Sequence, residues 1–265
     1  MTFSFVQITD HHLLETEDGL IRGFAPAPAL RAVLRHMAGS AAAAADFIVS
    51  TGDLVNNGTA GEYHAARRLL GLAGVPAAAP GPLTLTAEGL REKPFYCLPG
   101  NHDDREHFFT TLFGEAQARP LLNASFVHQG IQFVCLDVGP EVKGTLHAET
   151  LDFLAQALKA EMPAIVLIHH AVAPVGASWM DNFLADDMSP FWKALEGHAV
   201  LGILSGHLHN TYEQLVNNIP VLGLRATVFQ FVVQDEPLIA LLPPQYRLVT
   251  VHDGALTSRV YAVAL

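Results

Sequence analysis

Basic side chains are scarce in this sequence: its 265 residues include 15 Lys and Arg against 26 Asp and Glu, a formal charge of −11. A surface built to grip nucleic acid needs clustered Lys and Arg to displace counterions from phosphates, so no nucleic-acid partner is expected. Charge of either sign is also sparse, at 15%, while hydrophobic residues reach 50%. That balance excludes a disordered chain and provides material for a large buried core. Long apolar runs are missing, because the best candidates are interrupted by Asp46, His169, His170 or Asp235, well short of the roughly 18 residues a membrane span needs. No membrane association is expected. The opening residues Met1-Thr2-Phe3-Ser4-Phe5-Val6 lack the basic stretch and long apolar segment of a secretory signal, which points to a cytoplasmic protein. Cysteine is limited to Cys97 and Cys135, both in apolar strand-like contexts, where buried reduced thiols are expected in preference to a disulfide.

What the sequence does contain is a series of short apolar runs, each ending in polar residues with chemistry available to them. Phe3 to Thr9 leads into Asp10, His11 and His12; Phe47 to Thr51 into Gly52 and Asp53; Phe95 to Pro99 into Gly100, Asn101, His102 and Asp103. Ala164 to Ile168 leads into His169 and His170, and Val200 to Ser205 into Gly206, His207 and His209. Runs of this length suit strands buried on both faces. Polar groups at the C-terminal ends of such strands are where open α/β sheets bind ligands. Helical patterns separate them, over Ala27 to Ala38, Ala60 to Leu72, Arg105 to Phe113, Ala148 to Ala160 and Pro190 to Leu195. Pro26 or Pro28 can open the first, and Thr59 with Glu62 can cap the second. The alternation predicts an α/β layered fold. Gly74 to Pro94, rich in Pro and Gly, is expected to be an irregular excursion, and Ala41 to Ala45 a helix end. Beyond His209, Pro220 to Phe231 and Tyr246 to Val263 read as strands without helices between them.

Asp10 and His12 are two residues apart, which on a strand puts both on one side, and His207 and His209 repeat the spacing. Neither pair is specific alone. With Asp53, Asn101 and His169, all at strand ends, there are seven O and N donors, more than one metal with open water positions can use and enough for two metals sharing a carboxylate. Imidazoles and carboxylates together suit Fe, Mn, Zn or Co better than an all-oxygen Mg or Ca cage. Two cations about 3.5 to 4 Å apart generate hydroxide from a bridging water near neutral pH and hold both oxygens of an in-line displacement.

Asp10-His11-His12, Gly52-Asp53, Gly100-Asn101-His102-Asp103, His169 and Gly206-His207-Leu208-His209 resemble the five ordered motifs of calcineurin-like metallophosphoesterases. Within that family His169-His170, Phe229-Gln230-Phe231 and Gln245-Tyr246-Arg247 are most similar to the bacterial class III cyclic nucleotide phosphodiesterases. The chain departs from these relatives after His170, where Ala171-Val172-Ala173-Pro174 replaces a frequent Pro-Pro. The resemblance implies a four-layer α/β/β/α sandwich of two mixed β-sheets flanked by helices, with residues 1–265 as one domain and 220–265 adding C-terminal strands. It implies one metal on Asp10, His12, Asp53 and His209 and a second on Asp53, Asn101, His169 and His207, with Asp53 bridging. It further implies that Asp53 and His102 serve catalysis and that Asn101, His102 and His209 meet the substrate. The expected reaction is hydrolysis of a small phosphodiester such as 3′,5′-cyclic AMP by a metal-bridging hydroxide with His102 as general acid, since an unperturbed imidazole titrates near about 6.5. A phosphomonoesterase or glycerophosphodiester hydrolase is the alternative within the family, and a metal-binding scaffold without activity the alternative outside it. The native ions (Fe, Mn or Zn) are left open, and a homodimer is compatible with the sequence.

Other residues divide between packing and function. His11, between two proposed ligands, is expected to face away from them. His170 can line the pocket or bind a neighbouring loop, Asp103 can orient its loop or cap the following helix, and Asn56 and Asn57 suit a turn. Asn210 is a weaker candidate for substrate contact. Trp179, Met180, Phe183 and Phe191 can form core or line a cleft. His36, His64, His107, His128, His147, His198 and His252 carry no motif.

Overall fold

The computed structural model describes residues 2–73, 81–87, 89–185 and 187–265. In chain order the elements are β1 (Thr2–Ile8), α1 (Pro26–Ala38), β2 (Phe47–Ser50), α2 (Ala60–Leu69), β3 (Leu83–Leu85), β4 (Lys93–Cys97) and α3 (Arg105–His107). There follow β5 (Ala124–His128), β6 (Ile131–Leu136), α4 (Ala148–Leu158), β7 (Ala164–Ile168), α5 (Ser178–Asp181), α6 (Ser189–Leu195) and β8 (Val200–Ser205). The chain ends with β9 (Tyr212–Val216), β10 (Ile219–Gly223), β11 (Gln230–Phe231), β12 (Ile239–Ala240), β13 (Gln245–His252) and β14 (Ala255–Ala262).

Two six-stranded sheets form, in the orders β14-β13-β1-β2-β4-β3 and β5-β6-β7-β8-β10-β9. Their central strands are parallel and the outer ones antiparallel, so both sheets are mixed. Side chains alternate across a strand, and the second sheet shows what that does. Phe133, Cys135, Ile165, Leu167, Leu204 and Leu222 share a core with Phe5, Phe47 and Val49 of the first sheet. Their neighbours Val134, Leu136, Val166, Ile168 and Ile203 instead pack with Leu154 and Leu158 of α4 and Phe191 and Leu195 of α6. Helices α1 and α2 cover the first sheet through Leu30, Val33, Leu34 and Tyr63. The fold is therefore the four-layer α/β/β/α sandwich. Phe47 sits at the sheet interface, stacked on Phe5 at 5.1 Å and edge-on to Phe133 at 5.3 Å.

Local chemistry sets the helix ends. Pro26 lies in the first turn of α1, and α2 opens with a reciprocal capping box in which Thr59 accepts from the Glu62 N–H and Glu62 reaches back, satisfying donors a helix start leaves bare. Three expectations need correction. Helix over Arg105 to Phe113 is only one turn before it widens into a π turn over Phe108–Leu112, in which Phe108, Phe109 and Leu112 are buried, as is Phe113 after it. Ala41–Ala44 is a separate 3₁₀ turn capped by Ser40 rather than a helix end. Of the irregular excursion Gly74 to Pro94, residues 74–80 and 88 lie outside the described residues, but β3 pairs antiparallel with β4 and Thr84 bridges Ala73. Pro220 to Phe231 holds the strands β10 and β11 with no helix between them, as expected. Strands β13 and β14 complete the first sheet, β13 pairing antiparallel with β1 and β14 antiparallel with β13. No helix among the described residues is long and apolar enough to cross a membrane.

Candidate metal centre

The two sheets point the C-terminal ends of their parallel strands to one place. β1 delivers Asp10 and His12, β2 Asp53, β4 Asn101 and His102, β7 His169, and β8 His207 and His209. Backbone bonds pin the loops together: the Asp10 N–H donates to Gly52 O, the His11 and His12 N–H groups to Asp53 O, and the Gly206 N–H to His169 O. Gln7, fully buried, ties the sheets by donating to Thr51 Oγ1 and Ser205 O.

The ligand spacing works differently from the expected strand alternation. β1 ends at Ile8 and β8 at Ser205, and Asp10, His12, Asp53, His207 and His209 all have positive φ, between 47° and 67°. Non-glycine residues seldom adopt that region, and it costs on the order of 1 kcal/mol or more at each. The side chains converge because the backbone turns back sharply beyond each strand. Gly100 is required by the crowding that results, since a Cβ there would stand 2.1 Å from Asp53 Oδ1 and 2.7 Å from His169 Nε2. At Gly52, φ is +105° and a Cβ would meet His169 Nδ1 at 2.3 Å.

Carbonyl oxygens fix the imidazoles. His169 Nδ1 donates to Thr51 O at 2.8 Å and His209 Nδ1 to Phe229 O at 2.8 Å; a carbonyl only accepts, so in the neutral form of each ring the lone pair is on Nε2. His169 Nε2 faces Asp53 Oδ2 at 3.3 Å and Asn101 Oδ1 at 3.2 Å, and His209 Nε2 faces Asp10 Oδ1 at 3.3 Å. His12 Nε2 lies 3.0 Å from His209 Nε2 and 3.6 Å from Asp53 Oδ2. Buried His12 Nδ1 and His207 Nε2 have no hydrogen-bond partner. Among the described residues, three sets of potential ligand atoms lie mutually within 4.8 Å: Asp10, His12 and His209; Asp53, His169 and His207; and His12, Asp53 and His102. Converging lone pairs and carboxylates in a buried pocket fit divalent cations, and the N/O mixture fits first-row transition ions.

The electrostatics reflect the same crowding. Burial raises the Asp10 and Asp53 carboxyls, but the histidines outweigh it, His209 and His169 for Asp10 and His169 and His12 for Asp53, so both sit below their ordinary values. Burial lowers His169, yet Asp53 and Asp10 carry it up to about 9. His12 falls to about 3 and His207 falls well below its ordinary value, burial being the chief cause in each.

His102 is the exposed histidine of the cluster. Its backbone N–H donates to Asp53 Oδ1 at 2.9 Å and its Nδ1 donates to Asn56 O at 2.7 Å, which leaves Nε2 available. Asn56 thus does more than make a turn. Asp103 does not cap α3, a role taken by Asp104. Fully buried, it accepts from the Gly100, Leu54 and Val55 N–H groups and the Tyr63 hydroxyl, clamping the Asp53 and Asn101 loops together; burial and the nearby Asp53 raise it to about 6. His11 faces away from the cluster, as expected, held between Thr227 Oγ1 and Ser50 Oγ and lowered by burial to about 4. His170 Nε2 donates to Glu141 O, so it supports a loop. Asn210 donates to Phe231 O and is likewise outside the cavity. Sequence reasoning missed Arg105 and Asp137, a buried ion pair at 2.6 Å whose guanidinium also holds Gly100 O and Asp103 O. The one sequence signal was Asp137 at the end of the apolar run now seen as β6.

The cluster opens into a cavity of about 520 Å³ lined by His12, Asp53, Asn101, His102, His207 and His209 together with the rings of Trp179, Phe183, Phe229 and Phe231. The aromatic segment weighed as core or cleft therefore divides: Met180 and Phe191 are core, Trp179 and Phe183 line the cavity.

A two-sheet sandwich with histidines and carboxylates converging at its strand ends defines a metal-dependent hydrolase. Residues 3–211 match the calcineurin-like phosphoesterase family, and the chain belongs to it. It is a metal-dependent phosphoester hydrolase, of a family that works with two divalent ions. The chain is 27% identical to the 3′,5′-cyclic adenosine monophosphate phosphodiesterase CpdA of Vibrio vulnificus, over 99% of this chain and 91% of that one. It is 27% identical to a 3′,5′-cyclic-nucleotide phosphodiesterase of Nostoc sp., over 99% and 93%. Among solved structures, a dimetal phosphatase from Danio rerio superposes with a TM-score of 0.61 at 14% identity, over 99% of both chains.

Proposed function

We propose that the chain hydrolyses a phosphodiester, a 3′,5′-cyclic nucleotide such as cyclic AMP, at a dinuclear metal site. The observation that carries this reading is the convergence of Asp10, His12, Asp53, His169, His207 and His209 at a cavity lined by both these polar groups and aromatic rings. One ion falls to Asp10, His12, Asp53 and His209 and the other to Asp53, Asn101, His169 and His207, with Asp53 common to both. Bound there, two divalent ions would supply Lewis-acid activation of water and offset charge on the phosphoryl oxygens.

The residues do the rest. Thr51 O and Phe229 O hold His169 and His209 in the tautomer that presents Nε2. Asn56 O holds His102 by its Nδ1–H and leaves Nε2 free; in the imidazolium form the Nε2–H would give its proton to the leaving alkoxide as the P–O ester bond opens, returning the ring to the neutral Nδ1–H tautomer. Asn101, His102 and His209 border the cavity and meet the phosphoryl group. The aromatic rings suit a diester with a flat substituent, and the names of the relatives support a cyclic nucleotide.

The test is elemental analysis of the purified protein beside turnover of bis(4-nitrophenyl) phosphate, 4-nitrophenyl phosphate and 3′,5′-cyclic AMP, with and without added Mn. About two ions per chain and turnover of cyclic AMP are expected. Asp53→Asn, which weakens the shared ligand, should lose most activity and bound metal together; a fully loaded, fully active variant overturns the two-ion assignment.

A further inference from the structure

The cavity has one cationic side chain among its lining residues, Arg22, and the chain spends backbone strain to present it. Ile21 and Phe24 exchange backbone hydrogen bonds of 2.9 and 2.8 Å around a two-residue loop in which Arg22 has φ 52° and Gly23 φ 87°. Positive φ at both central positions makes this the tight hairpin turn that favours Asn-Gly or Gly-Gly, so a branchless residue would fit Arg22's position with less strain. The turn is anchored: Ile21 and Phe24 pack on the buried Ala226, Val228 and Phe229. Its guanidinium carbon lies 5.7 Å from the centroid of Phe229 and 6.0 Å from that of Phe231. Among the described residues no hydrogen bond or ion pair holds it, although the chain is strongly acidic.

The rings beneath Arg22 form a continuous wall joined to the metal centre. Phe229 and Phe231 meet edge-on at 5.5 Å, Trp179 meets Phe231 edge-on at 5.1 Å, and Phe229 and Phe231 lie 4.7 and 5.4 Å from the ring of His209. Polar ties outside the cavity hold this wall in place: Asn210 donates to Phe231 O at 2.7 Å, and Ser178 Oγ donates to Asp235 Oδ1 at 3.2 Å, linking α5 to the β11-β12 hairpin. Phosphoester cleavage needs neither the wall nor a cation over it. A flat, electron-rich heterocycle needs both, because its faces stack on aromatic rings and its ring nitrogens and carbonyls accept from a guanidinium fork.

We propose that Arg22, presented over Phe229 and Phe231 by the Ile21–Phe24 turn, is a specificity residue that binds the base of a nucleoside phosphodiester. This rests on the cyclic-nucleotide reading of the site. The test compares kcat and KM for 3′,5′-cyclic AMP and for the ribose 3′,5′-cyclic phosphate that lacks the base, in the wild type, Arg22→Met and Arg22→Lys. Arg22→Met should lower the preference for cyclic AMP over the base-free ester about tenfold, with the loss in KM more than in kcat, and Arg22→Lys should recover part of it. Equal loss of kcat on both esters would mean that Arg22 acts on the phosphate, and overturns the proposal; so does an unchanged preference. A wild-type enzyme that cleaves bis(4-nitrophenyl) phosphate but no cyclic nucleotide removes the substrate reading and this inference with it. Wild-type selectivity that survives in Arg22→Met removes only the role of Arg22.

Discussion

His102 and His169 are both held through Nδ1 by a carbonyl, yet they serve different ends because one ring is exposed to the cavity and the other is buried against Asp53. Proton donation matters most for a poor leaving group, so His102→Ala should slow alkyl diesters about a hundredfold or more and 4-nitrophenyl esters much less. Metal content should stay near that of the wild type. Equal slowing across leaving groups would remove the general-acid role. The two thiols make a separate prediction. Burial pushes Cys135 up to about 12 and Cys97 well above its ordinary value, and only the thiolate reacts, so neither should react with a disulfide reagent at pH 8 until the protein is unfolded. Rapid labelling of the native protein would contradict it. The converging His and Asp residues and these cysteines were legible in the sequence because each follows or sits within an apolar run. Asp103 was only half legible, since an Asp ahead of a helix reads as a cap; that it bonds Leu54 and Val55 rather than the helix depends on a contact across forty-odd positions that no local pattern encodes.

At the scale of elements, the loops after β2 and β4 act as one unit because Asp103 accepts from both. Removing one such acceptor strands buried N–H groups, at about 1 to 3 kcal/mol. Asp103→Asn should therefore lower unfolding stability by that order in urea and, since Asp53 and Asn101 lose their relative placement, reduce turnover more than tenfold. Lost stability with full turnover would show that the clamp does not position the site. The same distinction explains which elements could be read from the sequence. β1, β2, β7 and β8 are buried on both faces or nearly so, and their apolar-rich runs stand out. The edge strands β5 and β9 alternate between intermediate and exposed residues, and such a pattern resembles a polar loop. The π turn after α3 was hidden for another reason: Phe108, Phe109, Leu112 and Phe113 fall on one face of a regular helix, so their spacing cannot tell an α turn from the wider one seen.

Across the whole molecule, folding brings two wholly buried carboxylates to one point, and in the chain alone the compensating charge falls on His169. With Asp53 and Asp10 carrying its value up from the ordinary 6.5 to about 9, His169 keeps its proton through neutral pH, and a cation using its Nε2 must displace that proton. Apparent metal affinity should therefore rise as pH increases from 6 toward 9, by up to about tenfold per unit for one displaced proton, and level off above that. Because the ligands converge only in the folded chain, metal also stabilises it. Free Mn at a hundred times its dissociation constant is worth about 2.7 kcal/mol for one site, which at roughly 2 to 4 °C per kcal/mol for a chain near this size raises Tm by about 5 to 10 °C over the chelated protein. Calorimetry with Mn and with chelator, at pH 6, 7 and 8, measures both effects. A Tm gap that widens with pH and shrinks in Asp53→Asn is expected, whereas a gap independent of pH would mean that His169 does not yield its proton to the metal.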